Sequence, residues 1–348
     1  MLISILISFF TALILIPVII ALCKKFKIYD TINSRKVHKG NIPRLGGLGF
    51  VTAFTIGSVY YLVTQAPGSW SRLVSMIVAG IIIFVFGVID DFKEMKGKLK
   101  FIIQAVAAIV VVIAGYRFKN IFGLELGWAG YPLTFCWIIG VINSFNLIDG
   151  IDGLCGGLSF LIFITIGVIE LPTSPTTGSL AFIMAGALLG FLIFNKPTAK
   201  IFMGDGGSQF LGFLIAVLPL YENVSNNEPN KFAMIALLAA VPIFDCIAAM
   251  WRRTREKRSF FDADKAHLHH KLMNLGYHVP QILILLYSIQ FFLCFMVYLS
   301  DFIGGKTGVL ILCAGFIAMT LFFTLIHYTN KAVLASKKPG YKSDIDKY

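Results

Sequence analysis

The chain has 348 residues, of which 57% are hydrophobic and only 14% charged, with a mean hydropathy of +0.81 and a formal net charge of +12. That is more apolar surface than one water-soluble core can hide, so the composition excludes a soluble globular protein and places the chain in lipid. The positive charge sits in short segments between apolar runs and not on a polar domain, which argues against a nucleic-acid partner.

Apolar runs long enough to cross a hydrocarbon layer about 30 Å thick recur along the whole length. They cover residues 2–22, 46–66, 73–90, 99–116, 131–147, 155–171, 178–195, 206–221, 232–251, 280–302 and 306–328. The predicted fold class is all-α: one integral membrane domain over residues 1–330 with eleven transmembrane helices, then a basic tail over residues 331–348. An odd number of spans puts the termini on opposite sides, and the basic residues choose between the two orientations. Of the 30 Lys and Arg, all but Arg72, Arg117, Lys119, Lys231 and Lys306 fall on the side reached after the odd-numbered spans. That side is expected to be cytoplasmic, with the N-terminus outside and the C-terminus inside. No basic residue precedes the first span, no small-residue cleavage pattern follows it, and Lys24, Lys25 and Lys27 come directly after, so it reads as an anchor and not a signal peptide. The six cysteines are scattered without CxxC spacing, as buried small hydrophobes would be.

Polar residues at the ends of spans are costly beside lipid, so their positions are informative. Between spans 1 and 2, RKVHKGNIPRLGG brings Arg35, Lys36, His38, Lys39 and Arg44 together, either as topology-setting charge or as contacts for a phosphate-headed lipid. GVIDDF ends span 3 with Asp90 and Asp91, which oppose the helix dipole unless a cation or a function compensates. In NLIDGIDGL, at the end of span 5, a continued helix would align Asn146, Asp149 and Asp152 on one face, whereas Gly150 and Gly153 also suit a tight loop. FNKPTAKIFMGDGGSQFLG sets Asp205 among Gly204, Gly206 and Gly207 ahead of a helix, with Phe202 three residues earlier; such a turn suits phosphate contact through free N–H groups. Asp245 stands near the inner end of span 9. AHLHHKL then offers His267, His269 and His270, where a zinc site competes with contact to an anionic substrate. Arg252, Arg253, Arg255, Lys257 and Arg258 nearby favour the anion. All these groups share the expected cytoplasmic side, while Glu125, Glu222 and Glu228 on the other side are dispersed.

Dispersed carboxylates, an amide and many cations beside lipid fit phosphoryl transfer, in which Mg2+ neutralises charge and the protein positions the reactants. GVIDDF, NLIDGIDGL, FMGDGGSQFLG and AHLHHKL, in this order, resemble the polyprenyl-phosphate N-acetylhexosamine-1-phosphate transferase superfamily across nearly the whole chain. The histidine motif and the span count are more similar to the bacterial undecaprenyl-phosphate N-acetylglucosamine-1-phosphate transferase branch than to the phospho-N-acetylmuramoyl-pentapeptide transferase branch. The resemblance implies transfer of a sugar 1-phosphate from a UDP-sugar, UDP-GlcNAc foremost, to a polyprenyl phosphate at the cytoplasmic face of a bacterial plasma membrane. It implies Mg2+, with Mn2+ as a substitute, held by Asp205 and Asn146, and catalytic roles for Asp90, Asp91 and Asp149. It further implies substrate contacts from Asp152 and Phe202 to uracil, from Lys100 to phosphate, from Asn195, and from His267, His269 and His270 to the donor. The resemblance is compatible with direct attack and with a covalent aspartyl intermediate, and with a homodimer. From a different class, a divalent cation transporter would hold ions near the midplane on broken helices, whereas the mid-spans here are almost free of charge.

Overall fold

The structure is a computed structural model that describes residues 1–29, 41–66, 68, 70–221, 230–259 and 266–337. Arg35, Lys36, His38, Lys39, Glu222 and Glu228 lie outside the described residues. The helices in chain order are α1 (Leu2–Phe26), α2 (Gly46–Gln65), α3 (Trp70–Phe92), α4 (Gly97–Ile113), α5 (Gly130–Ile148), α6 (Leu154–Glu170) and α7 (Pro175–Asn195). They continue with α8 (Gly204–Val217), α9 (Lys231–Leu238), α10 (Ala240–Arg255), α11 (Leu268–Asn274), α12 (Val279–Ile303) and α13 (Gly305–Lys337). Each expected span falls on a helix or, for residues 232–251, on the α9–α10 pair. By length and apolarity seven of these helices can cross a membrane, or eight if the bent pair counts as one; α6 is apolar but shorter, at 17 residues, and α4 and α8 have 17 and 14.

Three local features depart from the sequence reading. A two-stranded antiparallel hairpin, β1 (Asn120–Ile121) with β2 (Leu124–Glu125), interrupts the all-α pattern between α4 and α5. The histidine segment, which lies between the ninth and tenth apolar runs where no helix is expected, forms the short helix α11. The ninth apolar run is broken: α9 and α10 meet at 79° around Ala239. Pro242 supplies the reason, since it has no N–H for the carbonyl four residues earlier. The freed Leu238 carbonyl accepts instead from Gln290 Nε2 on α12 at 2.9 Å. Side-chain repair of this kind is what a helix break away from water requires.

The buried centre of the bundle is α8, whose residues from Gly206 to Val217 are all buried. Glycines bring its neighbours close. A Cβ on Gly87 of α3 would stand 2.5 Å from the Gly206 Cα, and one on Gly47 of α2 would stand 2.8 Å from the Gly207 N. Phe210 then fills the gap between Phe54 of α2 and Phe84 of α3. These contacts fix where the first turn of α8 lies, and that turn carries Asp205.

Candidate active site

The carboxylates gather where α3 ends and α4 and α8 begin. Lys100 Nζ, on the first turn of α4, donates to Asp205 Oδ2 at 2.9 Å and also to Asp90 Oδ2. Asp90 Oδ1 accepts the Met95 N–H at 2.7 Å, which folds the α3–α4 turn back onto the carboxylate. Asp91 is used differently. Its carboxylate, with a side chain only 1% exposed, accepts the N–H groups of Asp205 at 2.8 Å and Gly206 at 3.2 Å, and pairs with Arg44 Nη2 at 2.7 Å. Arg44 also lies 3.6 Å from Asp205 Oδ1. Asp91 therefore caps α8, offsetting amide groups that a helix start leaves without partners. Two of the N–H groups expected for phosphate at GDGG, those of Asp205 and Gly206, are taken by this cap. Gly204 adopts φ +74 there, and a side chain at that position would collide with the Arg44 carbonyl and the Asp91 carboxylate.

Three carboxylates thus face two cations, an excess of negative charge beside lipid that a divalent ion would offset. Among the described residues no set of three or more His, Cys, Asp or Glu is arranged to hold a metal. Asp205 with one amide oxygen is nonetheless the kind of partial oxygen shell that Mg2+ uses when substrate phosphates and waters complete it. Asn146, near the end of α5, is held toward Asp205 by Ser208: its Nδ2 donates to Ser208 Oγ at 3.0 Å, and that hydroxyl reaches the Asp205 carbonyl at 3.4 Å.

Two loops beside this cluster are stapled together. The helical alignment of Asn146, Asp149 and Asp152 does not extend to Asp152, because α5 ends at Ile148 and Gly153 turns the chain at φ +78. Asp149 stands at the α5 C-terminus. Asp152 Oδ2 accepts the Ala199 N–H at 2.9 Å. Asn195, itself buried, accepts the Gly153 N–H at 3.0 Å and donates to the Ile201 carbonyl at 2.8 Å. Phe202 is fixed through its backbone, its N–H donating to the Pro43 carbonyl and its own carbonyl accepting from Gly46. Asp152, Asn195 and Phe202 therefore share one loop pair.

The histidines are anchored by Asp245, which the sequence marked without assigning it a role. Asp245 Oδ2 is 2.9 Å from His267 Nδ1, and its Oδ1 accepts the Leu268 N–H at 2.8 Å. His269 stacks parallel to His267 with ring centroids 6.0 Å apart and lies 4.3 Å from the His270 ring. It presses on the backbone of Gly150, where any Cβ would collide with the imidazole. Burial, reinforced by the neighbouring His270, pushes the His269 pKa down to about 3, so its ring is neutral near pH 7. Arg44 was legible only as one cation among several in a basic stretch. A cavity of about 590 Å³ between α6, α7 and α12 contains none of these carboxylates; its lining is mostly apolar, with Lys196 and Ser288 on it and Tyr287 donating to the Gly153 carbonyl at its wall.

Residues 73–223 match glycosyl transferase family 4. The chain is 36% identical over 297 residues to a probable undecaprenyl-phosphate N-acetylglucosaminyl 1-phosphate transferase of Bacillus subtilis, covering 83% of this chain and 82% of that protein. It is 34% identical over 277 residues to the undecaprenyl-phosphate alpha-N-acetylglucosaminyl 1-phosphate transferase of Escherichia coli K12, covering 76% and 74%. The protein of that name from Yersinia pestis is 32% identical over 274 residues, covering 75% and 74%.

Proposed function

Because the chain belongs to glycosyl transferase family 4, we propose that it transfers N-acetylglucosamine 1-phosphate from UDP-GlcNAc to undecaprenyl phosphate at the cytoplasmic face of a bacterial inner membrane. The product is the lipid-linked sugar on which a cell-envelope polysaccharide is begun. The observation that carries this reading is the group of Asp90, Asp91, Asp205, Lys100 and Arg44 where α3 ends and α4 and α8 begin, next to a loop pair holding Asp152, Asn195 and Phe202. An acceptor phosphate oxygen attacks the sugar-bearing phosphorus of the donor, the bond from that phosphorus to the bridging oxygen breaks, and UMP leaves with that oxygen. Mg2+, held by Asp205 and Asn146, would supply charge neutralisation on the donor pyrophosphate, and Mn2+ would substitute.

The residues of the chain supply the rest. Lys100 exchanges carboxylate partners for phosphate oxygens as substrates enter, and Arg44 holds the Asp91 cap in place. Asp90 sets the position of Lys100 and of the incoming acceptor, and Asp149, at the end of α5, is the third catalytic carboxylate. Asp152 accepts from uracil N3–H, Phe202 stacks on the ring, Asn195 keeps the two loops in register, and the neutral His269 borders the donor with His267 and His270. The test is UMP release by purified protein given UDP-GlcNAc, polyprenyl phosphate and Mg2+. Release that stops in excess EDTA and is weaker with UDP-GalNAc supports the reading, and no release with any UDP-sugar overturns it.

A further inference from the structure

The three helices that carry Lys100, Asp205 and Asn146 each carry an uncharged amide one turn deeper in the bundle. On α4 it is Gln104, four residues beyond Lys100; on α8 it is Gln209, four beyond Asp205; on α5 it is Asn143, three before Asn146. These amides bond to one another. Asn143 Nδ2 donates to Gln104 Oε1 at 2.7 Å, and Gln104 Nε2 donates to Gln209 Oε1 at 3.1 Å. Asn143 Nδ2 is also bonded to the Ile139 carbonyl of its own helix at 2.8 Å. Gln104 is 2% exposed and Gln209 5% exposed.

We infer that Gln104, Gln209 and Asn143 form a positioning layer that sets the depth and rotation of α4, α8 and α5 against one another, and so the spacing of Lys100, Asp205 and Asn146 above it. This rests on the function proposed above. Apolar packing between helices in lipid tolerates small slides and rotations, because one hydrocarbon contact replaces another at little cost. A directional chain of amide hydrogen bonds does not: in a medium of low dielectric each broken link leaves a polar group unsatisfied. Residues three or four apart lie on the same side of a helix, so a rotation that broke the amide chain would also swing the site residue one turn above. The layer touches no substrate and acts only through the residues it places.

The experiment separates positioning from simple helix cohesion by removing the network in two ways. Gln104→Leu leaves Gln209 without its partner, whereas Gln104→Leu combined with Gln209→Leu removes both amides while Asn143 keeps its Ile139 bond. Replacing both partners with apolar groups of similar size relieves the unsatisfied polar group. The double variant is therefore expected to recover the thermal midpoint lost in the single one, with kcat still reduced about tenfold or more, because the layer no longer fixes the register. The donor KM should rise as well, because the layer places the Asp205 and Asn146 that would hold Mg2+ against the donor pyrophosphate. If Gln104→Leu does not yield folded protein, Gln209→Met, which keeps the side-chain length, should by itself lower kcat about tenfold or more. Wild-type kcat in any folded variant, or kcat that returns together with the thermal midpoint, would overturn the inference. Wild-type protein that releases no UMP counts against the function itself, whereas a turning-over wild type with unaffected variants counts against the layer alone.

Discussion

Asp90 and Asp91 are neighbours in sequence with different work to do. Asp91 is spent on the amides of α8 and on Arg44, whereas Asp90 meets Lys100. Asp91→Asn should lose both activity and about 1–3 kcal/mol of stability, because its buried partners lose a charged acceptor. Asp90→Asn should lose mainly kcat, and thermal midpoints measured beside turnover distinguish the two. Neither aspartate is expected to be an obligatory base: by analogy with phosphorylated side chains, the acceptor monoester has a second pKa near about 6 and is mostly a dianion at neutral pH. The acid limb of kcat/KM should then move with the pKa of the acceptor phosphate and survive in both variants; an acid limb that ignores the acceptor and disappears in one of them would identify that residue as the base. His269 gives a second pH effect. The unfolded chain takes up this proton below about pH 6.5 and the folded one only near 3, so stability falls as pH drops through that window, by at most about 1.4 kcal/mol per unit. Thermal midpoints should decline less between pH 7 and 5 in His269→Gln, and equal slopes would count against a buried neutral ring.

At the scale of elements, the site depends on how closely backbones approach. Gly87→Ala puts a methyl group 2.5 Å from the Gly206 Cα, and backbone cannot step aside as a flexible side chain could. Either α3 or α8 must shift, which parts Asp91 from the amides it caps. Overpacking of this kind costs about 1–3 kcal/mol, and turnover should fall more steeply than stability because the displaced residue is Asp205. Normal kcat in Gly87→Ala would show that the site tolerates a displaced α8. The sequence made the charged half of this site legible and left the neutral half hidden. Acids at the ends of apolar runs stand out at Asp90, Asp91, Asp149 and Asp205, since nothing cheap explains them there. Gln104, Gln209 and Asn143 do not, because single amides barely lower the hydropathy of a span. Arg44 was masked by the general excess of cations in its segment, which topology alone explains. The α9–α10 break was concealed because residues 232–251 are apolar except for Asp245, well past the bend, and Pro242 was its one visible sign.

For the whole molecule, the question is whether the site faces one side of the membrane and which side that is. Seven helices are long and apolar enough to cross, so counting spans does not decide it, and the 79° bend of α9–α10 leaves room for a segment that enters and returns. The contacts are more decisive. Asp91 at the end of α3 caps the start of α8, Asp152 after α5 holds the loop after α7, and His269 after α10 presses on Gly150 after α5. The ends of α3, α5, α7 and α10 therefore lie at one face however α9 and α10 run. The hairpin with Glu125 follows α4 and belongs to the opposite face, because α4 leads away from Lys100. The basic residues after α10 then favour a cytoplasmic site. Cysteine labelling with a membrane-impermeant reagent tests this on intact cells and inverted vesicles. His269 is too buried to report, whereas Lys257 and Glu125 are exposed. The exposed natural Cys136 and Cys313 must be removed first, and the four buried ones for safety. Lys257→Cys should label only from the cytoplasmic side and Glu125→Cys only from outside. Labelling of both from the same side would break the one-face arrangement, and the reverse pattern would keep that arrangement while removing the donor site from the compartment where UDP-sugars are made.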